Sequence, residues 1–147
     1  MFDTPLRLVL FDFDGTLCDS AATIIRLMKQ ACAACDLPVP EDSFIRGNIG
    51  HGVSHAALAY ADGDPEKASQ LAETYRHIAR NEYLGGQPPL DPLFDGAKDI
   101  LRTLQSKDYL TGIITNKSRT GLDSLITRHG IDQQVNLTIS ADDCTVK

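Results

Sequence analysis

Residues 6–17 read LRLVLFDFDGTL. From Leu6 to Phe11 the residues are aliphatic or aromatic except for Arg7, a pattern that favours a β-strand. The lack of alternation predicts a strand covered on both faces, as in a parallel sheet. Two carboxylates two residues apart, Asp12 and Asp14, follow at once, then Gly15 and Thr16. A buried strand that ends in acids is costly unless the acids have a use. Either they form a turn or a cap, as Asp commonly does, or they carry chemistry at the edge of a sheet.

The rest of the chain shows which sheet this is. LTGIIT (110–115) and VNLTIS (135–140) are two further apolar, β-rich runs. Helical patterns at 95–107 and 118–129 precede and separate them, with Gly130 as the stop. Strand, helix, strand at this spacing reads as a parallel α/β fold. Between the first strand and this unit everything is helical. One helix is expected from Ser20, as cap, to Cys35. A short one runs from Asp42 or Ser43 to Gly47, and another from Val53 to Ala61. A long one spans Glu66 to Leu84, with Pro65 at its first position. GNIGHG (47–52) is a glycine-rich loop and QPPLDP (87–92) a short stiff linker. The expected organisation is a discontinuous α/β core, residues 1–17 and 91–147, with an all-helical insertion at 18–90.

Composition narrows the function. The 147 residues are 42% hydrophobic and 23% charged, with a net charge of −6, the mix of a globular protein. No basic stripe is present to neutralise phosphates, so a nucleic-acid coat is not expected. No apolar run approaches the roughly 20 residues that cross a bilayer. The N-terminus lacks the pattern of a signal peptide, and the reading is a cytoplasmic protein. Cys32 and Cys35, in CAAC, fall on one face of a helical pattern and read as buried thiols rather than a redox pair or half a zinc site.

In open parallel sheets, ligands bind beyond the carboxyl ends of the strands. Asp12 and Asp14 end the first strand; Thr115, Asn116 and Lys117 end the second. Adjacent strands would bring both sets to one edge. A carboxylate pair there suits a hard cation such as Mg²⁺, or divided labour between a nucleophile and a proton carrier. Gly15 would permit a sharp turn and offer N–H groups to an anion.

DFDGTL at 12–17 resembles the first motif of the haloacid dehalogenase superfamily, and ITNK from Ile114 resembles its second. Lys147, after SADDCTV, stands where the third motif supplies a lysine. The helical insertion is similar to the superfamily's helical cap. The resemblance implies a Rossmann-like core and a phosphoryl transfer in which Asp12 attacks phosphorus to give an aspartyl-phosphate. Asp14 would protonate the leaving oxygen and later deprotonate water, while Thr115 and the Asn116 N–H hold phosphoryl oxygens. Lys147 would neutralise charge, and Mg²⁺ would sit on the Asp12 carboxylate and the Asp14 carbonyl. An acid at position 14 resembles the phosphatases and mutases of the superfamily rather than its ATPases or dehalogenases.

The chain reaches Lys147 without the superfamily's fourth, acidic motif; Asp142 and Asp143 precede the lysine and read as a solvated loop. The sheet is therefore expected to be incomplete at the C-terminus, with Leu6–Phe11 an exposed edge, and activity of the 147 residues by themselves stays open. The loop GNIGHG resembles that of phosphoglycolate phosphatases. Arg46, Gly50 and His51 are the residues expected to meet substrate, Arg46 or His51 through a carboxylate; a plain interhelical turn is the alternative. Phe44, Tyr60 and Tyr75 read as packing within the insertion, and Lys117 as local support or phosphate-adjacent charge rather than a catalytic base. The leading expectation is a Mg²⁺-dependent phosphatase of a small, phosphoglycolate-like metabolite. A mutase of the β-phosphoglucomutase type and a non-catalytic binding module are the alternatives.

Overall fold

The computed structural model describes residues 5–144. A parallel sheet of three strands, β1 (Leu8–Phe11), β2 (Leu110–Ile114) and β3 (Leu137–Ile139), runs in the order β1-β2-β3. Five helices carry the expected pattern: α1 (Ala21–Ala34), α2 (Asp42–Gly47), α3 (Val53–Tyr60) and α4 (Pro65–Leu84) come between β1 and β2, with α5 (Ala97–Ser106) leading into β2. A sixth, α6 (Arg119–His129), joins β2 to β3. Pro65 is the first residue of α4, and the Asp64 side chain accepts from the Glu66 and Lys67 N–H groups. Ser118 caps α6 by accepting from the Gly121 N–H, and Gly130 ends that helix in the left-handed conformation. Among the described residues no helix is long and apolar enough to cross a membrane.

Two buried clusters organise the packing. The helical one joins Ile25, Met28, Ala31 and Cys32 of α1 to Ile45, Ala57 and Tyr60, and to Ala68 and Leu71 of α4. Small residues dominate it, which lets the helix axes approach closely. The α/β cluster holds Phe13, Leu17, Leu101, Ile113, Leu122, Leu125 and Ile131, with Tyr83 from the end of α4. Larger side chains there fill the space between one sheet face and helices α5 and α6.

The other sheet face departs from expectation. The register pairs Leu8 with Leu110, Leu10 with Gly112, Gly112 with Leu137 and Ile114 with Ile139, so these residues share one side. On that side Leu8 is 42% exposed, Leu10 48% and Ile114 43%, whereas Ile113 on the opposite side is fully buried. β1 is thus covered on one face only, not two, because α5 and α6 both pack on the Ile113 side. β1 is also an edge strand, as expected. Gly112 fits beneath the open face because a Cβ there would lie 2.7 Å from Leu10 Cδ2 and 2.8 Å from Leu137 Cγ.

Candidate active site

The register that pairs Phe11 with Ile113 carries the chain past both strand ends together. Asp12 and Asp14 from β1, and Thr115, Asn116 and Lys117 from β2, line one cavity of about 660 Å³. The α1–α4 region forms the opposite wall, including Asn48, Gly50 and His51 of the loop and Tyr75, Arg76 and Tyr83 of α4. The expectation that both strand ends meet at one edge holds.

The turn after β1 is built by its own backbone. The Phe13 carbonyl accepts from the Thr16, Leu17 and Cys18 N–H groups, and the Gly15 N–H donates to the Cys18 carbonyl at 2.8 Å. Gly15 adopts φ +81°, which an L side chain rarely does. This corrects the assignment of Gly15 as an anion donor: its amide is already engaged, and the residue lines a second, shallower cavity. Its part is the turn that aims Asp12 and Asp14.

The two acids differ in their bonding. Asp12 Oδ1 accepts from the Phe13 N–H at 2.6 Å. Asp14 Oδ1 accepts from the Ser20 hydroxyl at 2.6 Å and from Lys117 Nζ at 3.0 Å. Ser20 therefore stands at the N-cap of α1 but makes no side-chain cap bond; its hydroxyl is turned to the acid instead. The Lys117 and Asp14 side chains are only 8% and 12% exposed. Burial opposes the lysine charge, yet Asp14, Tyr83 and Tyr75 outweigh it, and the Lys117 pKa stands above the usual lysine range. Its ammonium also lies 5.3 Å from the Tyr83 ring centroid. Burial in turn pushes the Tyr83 phenol up to about 12. The sequence reads Lys117 as local support or phosphate-adjacent charge; in the structure it is the buried counter-ion of Asp14, 103 residues away.

Thr115 is 8% exposed, and its hydroxyl accepts from the Lys117 N–H at 3.2 Å. The Asn116 side chain donates to the Gly50 carbonyl at 2.9 Å, so the GNIGHG loop is tied to the end of β2. Among the described residues the Asn116 N–H has no protein acceptor. His51 lines the main cavity, its ring edge-on to His55 with centroids 5.3 Å apart. Arg46 does not line it; it borders the shallower cavity that also touches Asp12, Asp14 and Gly15. Tyr60 and Tyr75 both pack against the helical cluster and line the cavity.

Lys147 lies outside the described residues. Asp142 and Asp143 are exposed, as expected, but they sit in an ordered 3-10 turn, Ala141–Asp143, rather than a free loop. Asp143 accepts from the Ser140 N–H and hydroxyl at 2.7 and 2.8 Å and pairs with Arg119. Asp142 accepts from the Arg119 N–H at 2.7 Å. Together they fix the turn after β3 to the start of α6.

The donors suit a hard cation. Asp12 Oδ2 and the Asp14 carbonyl carry no protein hydrogen bond among the described residues. Mg²⁺ is typically held by one or two carboxylates with water and substrate phosphate completing the shell. No cluster of three or more His, Cys, Asp or Glu that could hold a metal occurs among the described residues, so any such ion would rest on this small set.

Comparison with known proteins fits this geometry. The sequence matches the haloacid dehalogenase-like hydrolases over residues 9–147, and the chain belongs to that family. It is 32% identical over 138 residues to an N-acetylmuramic acid 6-phosphate phosphatase of Pseudomonas putida, covering 93% of this chain and 60% of the relative. It is equally 32% identical over 145 residues to a phosphoglycolate phosphatase of Yersinia pestis, covering 97% and 62%. A haloacid dehalogenase-like protein from Bacteroides fragilis superposes with a TM-score of 0.83 at 22% identity, covering 97% of this chain and 66% of that one. The chain thus spans about three fifths of the length of these curated relatives.

Proposed function

We propose that this chain carries the phosphoryl-transfer site of a phosphoric monoester hydrolase acting on a small phosphorylated metabolite. In this reading residues 1–17 and 91–147 form the catalytic core and 18–90 the cap. One observation carries it: Asp12, Asp14, Thr115 and Asn116, from two register-matched strands, line a single cavity. The Pseudomonas putida and Yersinia pestis relatives are both phosphatases of phosphorylated acids by name, which supports the substrate class. A cytoplasmic location goes with it.

Asp12 attacks phosphorus, the ester P–O bond breaks, and the phosphoryl group passes to the Asp12 carboxylate. Asp14 gives the leaving oxygen its proton, then removes one from the water that cleaves the acyl phosphate, so the acid is restored and inorganic phosphate departs. Oδ1 of Asp14 is occupied by Ser20 and Lys117, which leaves Oδ2 to exchange the proton. The Thr115 hydroxyl and Asn116 N–H would donate to phosphoryl oxygens, and Lys147 is assigned the remaining cationic role. Mg²⁺ would be held by the Asp12 carboxylate and the Asp14 carbonyl, and would supply charge neutralisation. The wall from α1 to α4 excludes water from the reacting atoms.

The test is release of phosphate from a panel of phosphomonoesters with and without Mg²⁺. Mg²⁺-dependent turnover that Asp12→Asn abolishes is expected; turnover indifferent to Asp12 would overturn the proposal.

A further inference from the structure

Lys117 is neutralised by Asp14, but the cavity has another cation. Arg76 lines it from α4, donates to the Ser54 hydroxyl through Nη2 at 2.6 Å, and has no carboxylate within ion-pair distance among the described residues. It is the only arginine in that lining. Tyr83, seven residues further along α4, marks the phosphoryl end, since its ring lies 5.3 Å from the Lys117 ammonium. Seven residues of α-helix rise about 10 Å. Ala79, between Arg76 and Tyr83 along α4, lines the same wall.

The cavity is therefore polarised. One end holds the acids and oxyanion donors of the transfer site. About a helix turn or two away stands an unpaired guanidinium, beside a hydroxyl, on a largely apolar wall. A guanidinium fork matches a carboxylate in two parallel hydrogen bonds. A volume of about 660 Å³ lies in the range of sites that enclose ligands well above the size of a two-carbon acid.

We infer that Arg76 is a specificity-determining residue: it reads a second anionic group, a carboxylate, at the far end of a phosphomonoester about six carbons long. This rests on the phosphatase reading for the identity of the first anion. It moves the carboxylate-reading role away from Arg46, which the main cavity does not include, and makes phosphoglycolate too short to span both ends.

The matched probes are 6-phosphogluconate and glucitol 6-phosphate, which differ at C1 by a carboxylate against a hydroxymethyl group, with phosphoglycolate as the short acid. Titration calorimetry on the Asp12→Asn protein reads binding without turnover. Expected are at least tenfold tighter binding of 6-phosphogluconate than of glucitol 6-phosphate, collapse of that ratio in Arg76→Ala, and partial recovery in Arg76→Lys. Equal affinities, a ratio that survives Arg76→Ala, phosphoglycolate as the tightest of the three, or no binding of either sugar phosphate would each overturn the inference. An Arg76-dependent ratio, with no phospho-aspartate formed by the protein that retains Asp12, would instead sink the phosphatase reading and leave the second anion site standing.

Discussion

The two walls of the cavity are built differently. On the strand side, Asp12, Asp14 and Asn116 are each held by a hydrogen bond: Asp14 by Ser20 and Lys117, the Asn116 side chain by Gly50, and Asp12 by the adjacent Phe13 amide. On the helical side, Arg76 is exposed, with one neutral partner, and the helices beneath it pack through alanines. Preorganised groups suit chemistry that is the same for every phosphate ester. Loosely held groups on a separate wall suit recognition of whatever the phosphate is attached to. A protein built this way can keep its reaction and change its substrate by altering one wall.

Perturbations of each wall should therefore separate. The largest effect is expected from Asp12→Asn, which should lower turnover at least about 10⁴-fold and leave the denaturant midpoint unchanged. Lys117→Met strands a buried carboxylate, and breaking such a pair costs about 3–5 kcal/mol. Chemical denaturation should show that loss, and kcat should fall with it because Asp14 loses its position. Leu71→Ala, deep in the helical cluster, should cost about 2–5 kcal/mol. Hydrogen exchange should rise in α1, α3 and α4 and stay level in β2 and α6; equal loosening of both regions would break the distinction. Ser20→Ala removes one hydrogen bond to Asp14 and should cost about 0.5–1.5 kcal/mol, read by chemical denaturation.

The smallest effect concerns the turn after β3. Hydrogen bonds from the Ser140 backbone and side chain, then Arg119, hold Asp143 down at about 2. A carboxyl depressed in the folded state stabilises it above the unfolded value of about 4, and that contribution is lost as pH falls toward 2. Amide exchange at Ser140 should quicken over that window, and Asp143→Asn should flatten the response.

Much of this was legible in the sequence, because its signals are local. Strand and helix limits follow from apolar runs, from Pro65 and Asp64, and from Ser118 and Gly130. The juxtaposition of Asp12 with Thr115 followed from parallel pairing of two runs that both end in polar residues. What escaped depends on tertiary placement. Nothing near Lys117 indicates that its partner lies 103 residues away. Gly15 carried the right turn signal, yet whether its amide is free depends on how the Cys18 carbonyl folds back. Ser20 reads as a cap from its neighbours, and only the acid beside it in space redirects the hydroxyl. The half-open sheet was hidden because the strand itself, LVLF at 8–11, is equally apolar on both faces, whichever face the helices take. Arg76 has no motif around it, and becomes notable only once α4 is seen to line the cavity.

The most direct test of the central claim is acid-quenched peptide mapping of the protein during turnover of a phosphomonoester with Mg²⁺. A phosphoryl group on Asp12, absent from Asp12→Asn, is predicted. A phosphoryl group on any other residue, or steady hydrolysis with none on Asp12 at any quench time, would contradict the account.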